Sequence, residues 1–134
     1  MGNAFVAEAN VFSYRAWLSD STTAAADRIL HSRGRYTLVN GLVVAQDWDA
    51  LTSGTLEIPI NVTEKSETSI GSVVWTGTLP NGQQAFGSTF CDDWTDHSKD
   101  QLSGTGIRKN ADSWWSFFEQ GDCASEGALY CIEN

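Results

Sequence analysis

Tight-turn sequences divide this chain into short segments. The dipeptide Asn40-Gly41 lies in the middle of 36–45, YTLVNGLVVA, and such a pair between two apolar runs is the strongest short-range signal for a two-residue β-hairpin. Residues 80–82, Pro-Asn-Gly, form a second turn signal, because proline and glycine favour the backbone angles of turns. With twelve glycines against two prolines, the chain is expected to form short elements joined by tight turns.

Hydrophobic spacing and capping residues predict the elements between these turns. Residues 3–18 carry apolar residues at both helical and strand spacings, so the segment is expected to begin as a helix and end as the short apolar run YRAWL. A short helix is predicted within 20–31, with Asp20 and Ser21 as N-cap candidates. A second is predicted within 47–54, capped by the aspartate that begins it. Further strands are predicted at 72–78, 84–90 and 128–134.

Chain length and composition indicate one domain. With 134 residues, 41% of them hydrophobic, the chain can bury a single core. No internal repeat or low-complexity linker divides it, so one domain over 1–134 is expected. The expected fold class is α+β, with short twisted antiparallel strands, two or three short helices and long loops.

An excess of acidic residues limits the partners that the chain is expected to bind. It has 17 aspartate and glutamate residues against 8 lysine and arginine residues, a formal net charge of −9. Nucleic acid, heparin-like sulfated chains and anionic lipid are therefore expected to be repelled. The basic cluster Arg28, Arg33 and Arg35 is interpreted as a solvated helix end and turn.

Membrane insertion and export are not indicated by the residues themselves. No apolar stretch approaches the roughly 20 residues that a bilayer-spanning helix needs. The first residues, MGNAFVAEANVF, lack the basic start and continuous apolar run of a secretory signal. The residues as given therefore leave two alternatives, a cytoplasmic protein and an exported one whose signal has been removed.

Six segments form a pattern in sequence order. They are YRAWLSD (14–20), YTLVNG (36–41), DWDALTSG (47–54), VVWTGTLPNGQ (73–83), CDDW (91–94), and the C-x7-C pattern with LYCIEN (123–134). Together they resemble endostatin, the C-terminal domain of certain collagens, and equally the bacterial endostatin-like domains of spirochaete surface lipoproteins. The resemblance implies the endostatin branch of the C-type-lectin-like fold and a secreted or cell-surface protein. In bacteria it further implies adhesion to host matrix and complement proteins.

The resemblance also implies a disulfide pattern. It pairs Cys91 with Cys123, a bridge that contributes roughly 2–4 kcal/mol in an oxidising compartment. It pairs Cys131 with a cysteine on the first helix, whose position falls at or just before Met1, and no cysteine is present there. Cys131 is therefore expected to be an unpaired thiol. The alternative is a cytosolic protein with three free buried thiols.

The resemblance implies that the chain is shortened at its N-terminus. The family's opening strand would lie upstream, and without it the terminal strand within 128–134 is expected to present unpaired backbone groups. Residues 3–8, or a strand donated by a second protomer, would cover that edge. A homo-oligomer is therefore expected.

Metal sites have weak support in the sequence. Asp92, Asp93 and Asp96 lie close together and offer the hard oxygen ligands that calcium prefers. The favoured interpretation is a solvated loop, because runs of charge are usually exposed. Zinc is not expected, since neither His31 nor His97 lies at ligand spacing from the cysteines.

Aromatic residues cluster between the two cysteines that the resemblance pairs. Trp114, Trp115, Phe117 and Phe118 cannot all face one core, so at least one or two are expected at the surface. With Asp112 they are the candidate ligand-binding residues, since exposed tryptophan suits protein docking or sugar stacking. Alternatively, they fill the space beneath the loops or cover the terminal edge. The other tryptophans are assigned to the core: Trp17, Trp48, Trp75 and Trp94.

No assembled catalytic group of residues is recognisable. The Gly-Ser dipeptides at 71–72 and 87–88 lack the surroundings of a nucleophile elbow. The sequence therefore predicts a non-catalytic binding module without a cofactor, which recognises a protein or carbohydrate through the 76–122 loop region. Two alternatives stay open: a cytosolic oligomeric protein of another role, and a hydrolase that assembles His97 with a carboxylate and a hydroxyl.

Overall fold

The computed structural model describes residues 14–68, 71 and 73–133. Predictions for residues 3–8 and for the helical start of 3–18 lie outside these residues. In chain order the elements are β1 Tyr14–Ala16, α1 Ala25–Arg28, β2 Tyr36–Thr37, β3 Val43–Ala45, α2 Trp48–Leu51, β4 Val73–Trp75, a left-handed turn Phe90–Trp94, β5 Leu102–Ile107, the 3-10 turn η1 Ser113–Trp115, β6 Glu119–Asp122 and β7 Cys131–Glu133. The general class, a small α+β fold with short antiparallel strands, is confirmed.

The strands of the described residues form three small antiparallel sheets. β4, β5 and β6 make a three-stranded sheet with β5 in the centre, β2 pairs with β3, and β1 pairs with β7. A short bridge covers the outer edge of β4: the amide of Trp75 donates to the carbonyl of Ala128 at 2.9 Å, and the amide of Ala128 donates to the carbonyl of Val73 at 3.0 Å. The chain therefore shields one edge of its largest sheet itself.

The terminal strand is paired within the chain on one edge. β7 runs antiparallel to β1, with Tyr14 opposite Glu133 and Ala16 opposite Cys131. The amide of Trp17 extends the pairing by donating to the carbonyl preceding β7 at 2.9 Å. The prediction that this strand depends on residues 3–8 or on another protomer is therefore wrong for this edge, and the homo-oligomer stays a prediction.

The hairpin predicted at 36–45 is present, with a longer connection than predicted. The amide of Gly41 donates to the carbonyl of Leu38 at 2.9 Å, and the amide of Leu38 donates to the carbonyl of Leu42 at the same distance. Gly41 has a φ of +90°, which glycine adopts without a Cβ clash. The connection therefore runs over 38–42, where the sequence predicted a two-residue turn.

Both predicted helices form as single turns. α2 is capped as predicted, since Oδ1 of Asp47 accepts from the amide of Ala50 at 2.8 Å. α1 begins after Ala24, and neither predicted cap, Asp20 or Ser21, is its N-cap. Asp20 instead closes the preceding turn, accepting from the backbone amides two and three residues further on, at 2.9 and 2.8 Å. Within the described residues, no helix has the length and apolar character to cross a membrane.

The central sheet differs most from the sequence prediction. Residues 84–90 do not form a strand and contribute only an isolated bridge between Thr78 and Gln84. β5 and β6 form in segments where no strand was predicted. Gly104 and Gly106 weaken the strand signal in β5, since glycine is disfavoured in strand interiors.

The same glycines let the aromatic segment pack directly onto β5. A Cβ atom on Gly106 would lie 2.2 Å from the carbonyl oxygen of Trp115, and one on Gly104 would lie 2.9 Å from the ring of Phe117. Close approach of a second backbone is a common reason for glycine within a strand. The two glycines that weaken the strand signal of β5 therefore also allow the aromatic segment to pack on it.

A run of aromatic rings forms the centre of the core. Trp17 and Trp115 are fully buried, with ring centroids 5.0 Å apart. Tyr130 packs on Trp115 at 5.5 Å, and Trp48 packs on Trp17 at 5.9 Å. The assignment of Trp17 to the core is confirmed. Trp48 is only partly buried and lies against the core's edge.

Trp75 and Trp94 form a second, smaller cluster. Their rings meet nearly edge to face at 5.9 Å, and both residues are partly exposed. The indole N–H of Trp94 donates to the carbonyl of Ser19 at 2.8 Å. A Cβ atom on Gly127 would lie 2.9 Å from the Trp75 ring, so the chain passes close to this ring. The two tryptophans are thus half-buried and lie outside the main core to which the sequence assigned them.

Buried hydroxyl groups connect the aromatic core to the central sheet. The indole N–H of Trp17 donates to Oγ of Ser116 at 2.8 Å, and that hydroxyl donates to the carbonyl of Thr78 at 2.7 Å. Oγ1 of Thr76 donates to the carbonyl of Ser116 at 2.6 Å, and the hydroxyls of Thr78 and Ser19 lie 2.8 Å apart. All five residues are buried. Because these groups satisfy one another, the network avoids the cost of unpaired polar atoms in the interior.

A buried arginine holds the long connection before β4. Arg108 is 2% exposed, and its guanidinium donates to the backbone carbonyls of Asn61, Thr68 and Gly71 at 2.5 to 2.6 Å. A buried guanidinium has five donors that need acceptors, and carbonyl oxygens supply them. The connection is therefore fixed although it lacks regular secondary structure.

Candidate functional site

A disulfide closes the loop region that was predicted to contact a ligand. Cys91 and Cys123 are bonded, with their Cα atoms 5.7 Å apart. This is the pairing that the resemblance implies, so it is confirmed. The bond spans a sequence separation of 32 residues, and loop-closure entropy assigns such a bond about 3.7 kcal/mol. It fixes the left-handed turn against the end of β6.

The segment around the first cysteine has an unusual backbone. All residues of Phe90–Trp94 have φ between 50° and 68°, a conformation that costs an L-residue roughly 1–2 kcal/mol. Tertiary contacts hold it: Asp93 accepts hydrogen bonds from the amide and the hydroxyl of Ser21, both at 2.8 Å, and Cys91 is fixed by the disulfide. Strained backbone of this kind persists only where the surroundings impose it.

Trp114 and Phe118 lie together at the surface and are named here the aromatic pair. They are 47% and 37% exposed, and their ring centroids are 4.6 Å apart at an interplanar angle of 66°. Their neighbours differ, because Trp115 is fully buried and Phe117 packs over Gly104. The prediction that one or two of the four aromatics are exposed is confirmed. Trp115 was also predicted to contact ligand, but it lies in the core and is not accessible.

Asp112 holds the aromatic pair in place. Its Oδ1 atom accepts from the amide of Trp114 and from the side-chain amide of Asn110, both at 3.1 Å, and it is the N-cap of η1. Asp112 is therefore a positioning residue as well as an exposed charge. Together with the exposed Glu119 at the start of β6, it puts negative charge beside the aromatic pair in sequence.

Phe86 is an exposed aromatic that the sequence did not identify as a contact. Its side chain is 85% exposed, more than any other large hydrophobic side chain described. Its carbonyl accepts from the side-chain amide of Gln120 in β6 at 3.0 Å, which ties this turn to the central sheet. The strand predicted at 84–90 gave no indication of such exposure. Phe86 is therefore a further candidate contact in the 76–122 region.

The acidic residues after Cys91 are separated by their partners. Asp93 is engaged by Ser21, and hydrogen bonds from the side chain and backbone of Ser98 hold the pKa of Asp96 below its ordinary value. Asp92 is exposed. In the part of the chain that the structure describes, no three His, Cys, Asp or Glu side chains are grouped as metal ligands. The structure therefore does not bring Asp92, Asp93 and Asp96 together as a calcium site.

Cys131 has a free thiol in β7 and is partly buried. Burial raises its pKa, and the negative charge of Glu64 raises it further. The thiolate is the nucleophilic form, and a raised pKa leaves little of it at neutral pH, so this cysteine is expected to react slowly there.

A pocket of about 580 Å³ lies at the start of α2 and was not predicted. Its lining residues are His31, Ser32, Arg33, Asp47, Trp48 and Asp49. The ring of His31 stacks on Trp48, with centroids 3.9 Å apart and planes within 5°. The amide of Trp48 donates to the carbonyl of Ser32 at 2.9 Å, which joins the two lining segments. The run Asp-Trp-Asp at 47–49 predicts helix capping and packing, and it does not by itself indicate a pocket.

The candidate surfaces of the described residues are thus two. One carries exposed aromatic rings beside acidic groups within 76–122, and the other combines stacked rings with side chains of both charges. In comparisons with known proteins, no protein-family model matches this chain, and no curated protein matches it.

Proposed function

We propose that this chain is a non-catalytic, endostatin-like binding domain that recognises a protein through the 76–122 region. The observation that carries the proposal is the aromatic pair, two large side chains in mutual contact that remain exposed on an otherwise well-ordered segment. A glycan is the alternative ligand, and the experiment below separates the two.

The aromatic pair is suited to an interface for energetic reasons. Burial of one large apolar side chain stabilises a complex by roughly 1.5–3 kcal/mol. Tryptophan is enriched among the few interface residues that dominate binding, usually in the centre of the contact. Phe86 adds a third exposed ring within the same stretch of sequence.

Rigidity supports the same interpretation. The disulfide at Cys91 and Cys123 and the cap from Asp112 hold the region before any partner arrives. A contact surface that is already ordered loses less conformational entropy on binding. The disulfide also agrees with the endostatin-like resemblance, which makes matrix and complement proteins the first partners to test.

Charge indicates the chemistry of the partner surface. The chain has a formal net charge of −9, and Asp112 and Glu119 are exposed on either side of the aromatic pair in sequence. A partner with an apolar centre and a basic rim would be steered to this surface and held in register. A fully aromatic sugar-stacking site would not need such a rim.

An array of purified matrix proteins, complement proteins and glycans tests the proposal. Wild type is compared with Trp114→Ala and Phe118→Ala on each component. Binding to one or more basic proteins is expected, weakened roughly three- to tenfold by each substitution. Less than half of each side chain is exposed in the free chain, so about half of the 1.5–3 kcal/mol of full burial, about 0.7–1.5 kcal/mol, is lost.

Leu42→Ala is the matched control, because Leu42 is an exposed apolar residue, at 56%, in the 38–42 connection. It should leave binding unchanged. Selective binding to a glycan that is weakened by Trp114→Ala and Phe118→Ala would favour the alternative ligand at this surface. Protein binding that survives both aromatic substitutions, or no binding to any component, would contradict the proposal.

A further inference from the structure

The pocket at the start of α2 is formed entirely outside the 76–122 region. One lining segment is 31–33, which follows α1, and the other is 47–49, which begins α2. Its volume of about 580 Å³ lies within the range of roughly 300–1,000 Å³ that small-molecule sites occupy. This pocket is therefore separate from the aromatic pair.

His31 presents a fixed ring with one open nitrogen. Its Nε2 atom lies 2.7 Å from the carbonyl oxygen of Ala26, and a carbonyl only accepts, so Nε2 carries the proton. In the neutral ring, Nδ1 is then an acceptor. Stacking on Trp48 holds the imidazole flat, and the residue is exposed, so the ring offers an apolar face to a ligand.

Acidic and basic side chains line the pocket, and some of their hydrogen-bonding atoms have no partner among the described residues. Asp47 uses Oδ1 to cap α2, and its Oδ2 has no hydrogen-bond partner among the described residues. Asp49 and Arg33 are exposed and form no hydrogen bond or ion pair with the described residues. The pocket therefore offers carboxylate acceptors, guanidinium donors and a flat ring together.

The presence of both carboxylates and a guanidinium disfavours ligands that carry only positive or only negative charge. A cation attracted by Asp47 and Asp49 would meet Arg33, and an anion attracted by Arg33 would meet the two carboxylates. A neutral ring with several hydroxyl groups meets no like charge. Its hydroxyls can donate to the carboxylates and accept from the guanidinium, and hydrogen bonds with a charged partner are the stronger kind.

We propose that this pocket binds a neutral sugar ring, with its C–H face on His31 and its hydroxyls on Asp47, Asp49 and Arg33. The site is open, so the affinity for a single ring is modest. For a ligand as small as a hexose, a dissociation constant on the order of 1–10 mM is expected. A longer glycan would gain affinity from contacts beyond the pocket.

Titration followed by NMR suits an affinity in this range. The full chain is titrated with the methyl glycosides of glucose, galactose and mannose, and separately with glucosamine, glucuronate and alanine. At least one neutral glycoside is expected to shift the indole N–H signal of Trp48 while leaving that of Trp114 in place. Binding of a neutral ring should be equal in low salt and in 0.5 M NaCl, because no net charge is screened.

Two substitutions at exposed positions test the roles of the charges without disturbing the core. Asp49→Asn and Arg33→Gln should each weaken glycoside binding about fivefold, the effect of losing one ordinary hydrogen bond at an exposed position. Asp92→Asn and Arg35→Gln, at exposed positions outside the pocket, should leave it unchanged.

Preference for glucosamine, glucuronate or alanine over every neutral glycoside would overturn the proposal, as would the absence of any shift at Trp48. Equal weakening by the control substitutions would overturn it too. Absence of protein binding on the array would not affect this result, because the pocket and the aromatic pair share no residue.

Discussion

The indole nitrogen of Trp17 and the hydroxyl oxygen of Ser116 lie 2.8 Å apart, joined by a hydrogen bond between residues separated by 99 positions. Trp17 follows β1, and Ser116 follows η1, which begins the segment of the aromatic pair. The same hydroxyl donates to the carbonyl of Thr78 at 2.7 Å. One small side chain thus fixes the candidate binding segment to the core and to the central sheet.

Removal of this hydroxyl should destabilise the fold. In Ser116→Ala, the indole N–H of Trp17 loses its acceptor and the carbonyl of Thr78 loses a donor, both in the interior. Leaving buried polar groups unpaired costs about 1–3 kcal/mol. Urea unfolding should show this loss, whereas Ser125→Ala, at an exposed position, should change the unfolding free energy by less than about 0.5 kcal/mol. Equal stability of both variants would show that the network does not hold the segment.

The disulfide should account for a large part of the stability. Cys91→Ser combined with Cys123→Ser should lower the free energy of unfolding by about 2–4 kcal/mol, because the unfolded chain regains its loop entropy. The left-handed turn Phe90–Trp94 should relax as well, since one of its restraints is gone. Cys131→Ser is the control and should cost little. Mass spectrometry after alkylation without reductant should find one free thiol, and three would contradict the pairing.

The free thiol of Cys131 should react slowly in the folded protein. Burial raises its pKa above the ordinary value, and the charge of Glu64 adds to the shift, so the thiolate is scarce at neutral pH. Iodoacetamide should modify it much faster in denaturant, and in the folded protein the rate should continue to rise with pH beyond the range in which the rate of an ordinary cysteine levels off. Glu64→Gln should increase the folded-state rate slightly. Rapid labelling of the native protein at pH 7 would contradict this assignment.

Close packing between β5 and the aromatic segment should make Gly106 intolerant of substitution. A Cβ atom there would lie 2.2 Å from the carbonyl oxygen of Trp115, a distance that requires backbone movement. Gly106→Ala should therefore cost at least about 2 kcal/mol, in the range of overpacked sites. Gly71→Ala is the control, because its Cβ would meet no atom within 4 Å. Equal thermal midpoints for the two variants would show that the segment does not pack on β5.

Asp20 should give the fold a small acid sensitivity. The backbone amide of Thr22 is the main cause that lowers the pKa of Asp20 from its ordinary 3.8, and the amide of Thr23 and the guanidinium of Arg28 add to it. A lowered folded-state pKa stabilises the fold above pH 4, and this stabilisation disappears as pH falls through the folded pKa. Solvent exposure limits the contribution to less than about 1 kcal/mol.

Stability measured at pH 6 and pH 3 checks this expectation. The loss on acidification should be smaller in Asp20→Asn than in wild type. Asp27→Asn should retain the wild-type loss, because the side chain of Asp27 forms no hydrogen bond with the described residues. Identical pH dependence of wild type and Asp20→Asn would contradict the role of Asp20.

Local sequence signals predicted elements where a single residue type forces the geometry. Asp47 caps α2 because its side chain reaches the amide three residues on, which depends on nothing outside the turn. Gly41 permits the hairpin connection for the same local reason. β5 was missed because its glycines have poor strand propensity, and only the approach of Trp115 explains why they are there.

The candidate sites were predicted in part for a related reason. An aromatic cluster at 114–118 guarantees that some rings are exposed, since adjacent side chains cannot all face one core. Which rings are exposed depends on the backbone of η1 and on the space over Gly104, both set by tertiary packing. The pocket has no sequence signature, because it joins 31–33 and 47–49 through the stack of His31 on Trp48.

The sequence by itself determined the acidic charge, the positions of the turns around Asn40-Gly41 and at 80–82, the cap of α2 and, through its resemblance, the bond between Cys91 and Cys123. These follow from composition, from interactions within a few residues, or from a pattern of cysteines. Only the tertiary structure decided that the terminal strand pairs with β1, that Trp114 and Phe118 face solvent while Trp115 is buried, and that a pocket opens beside α2. Such features depend on contacts between segments that are distant in sequence, and the residue pattern within one segment does not predict the energies of those contacts.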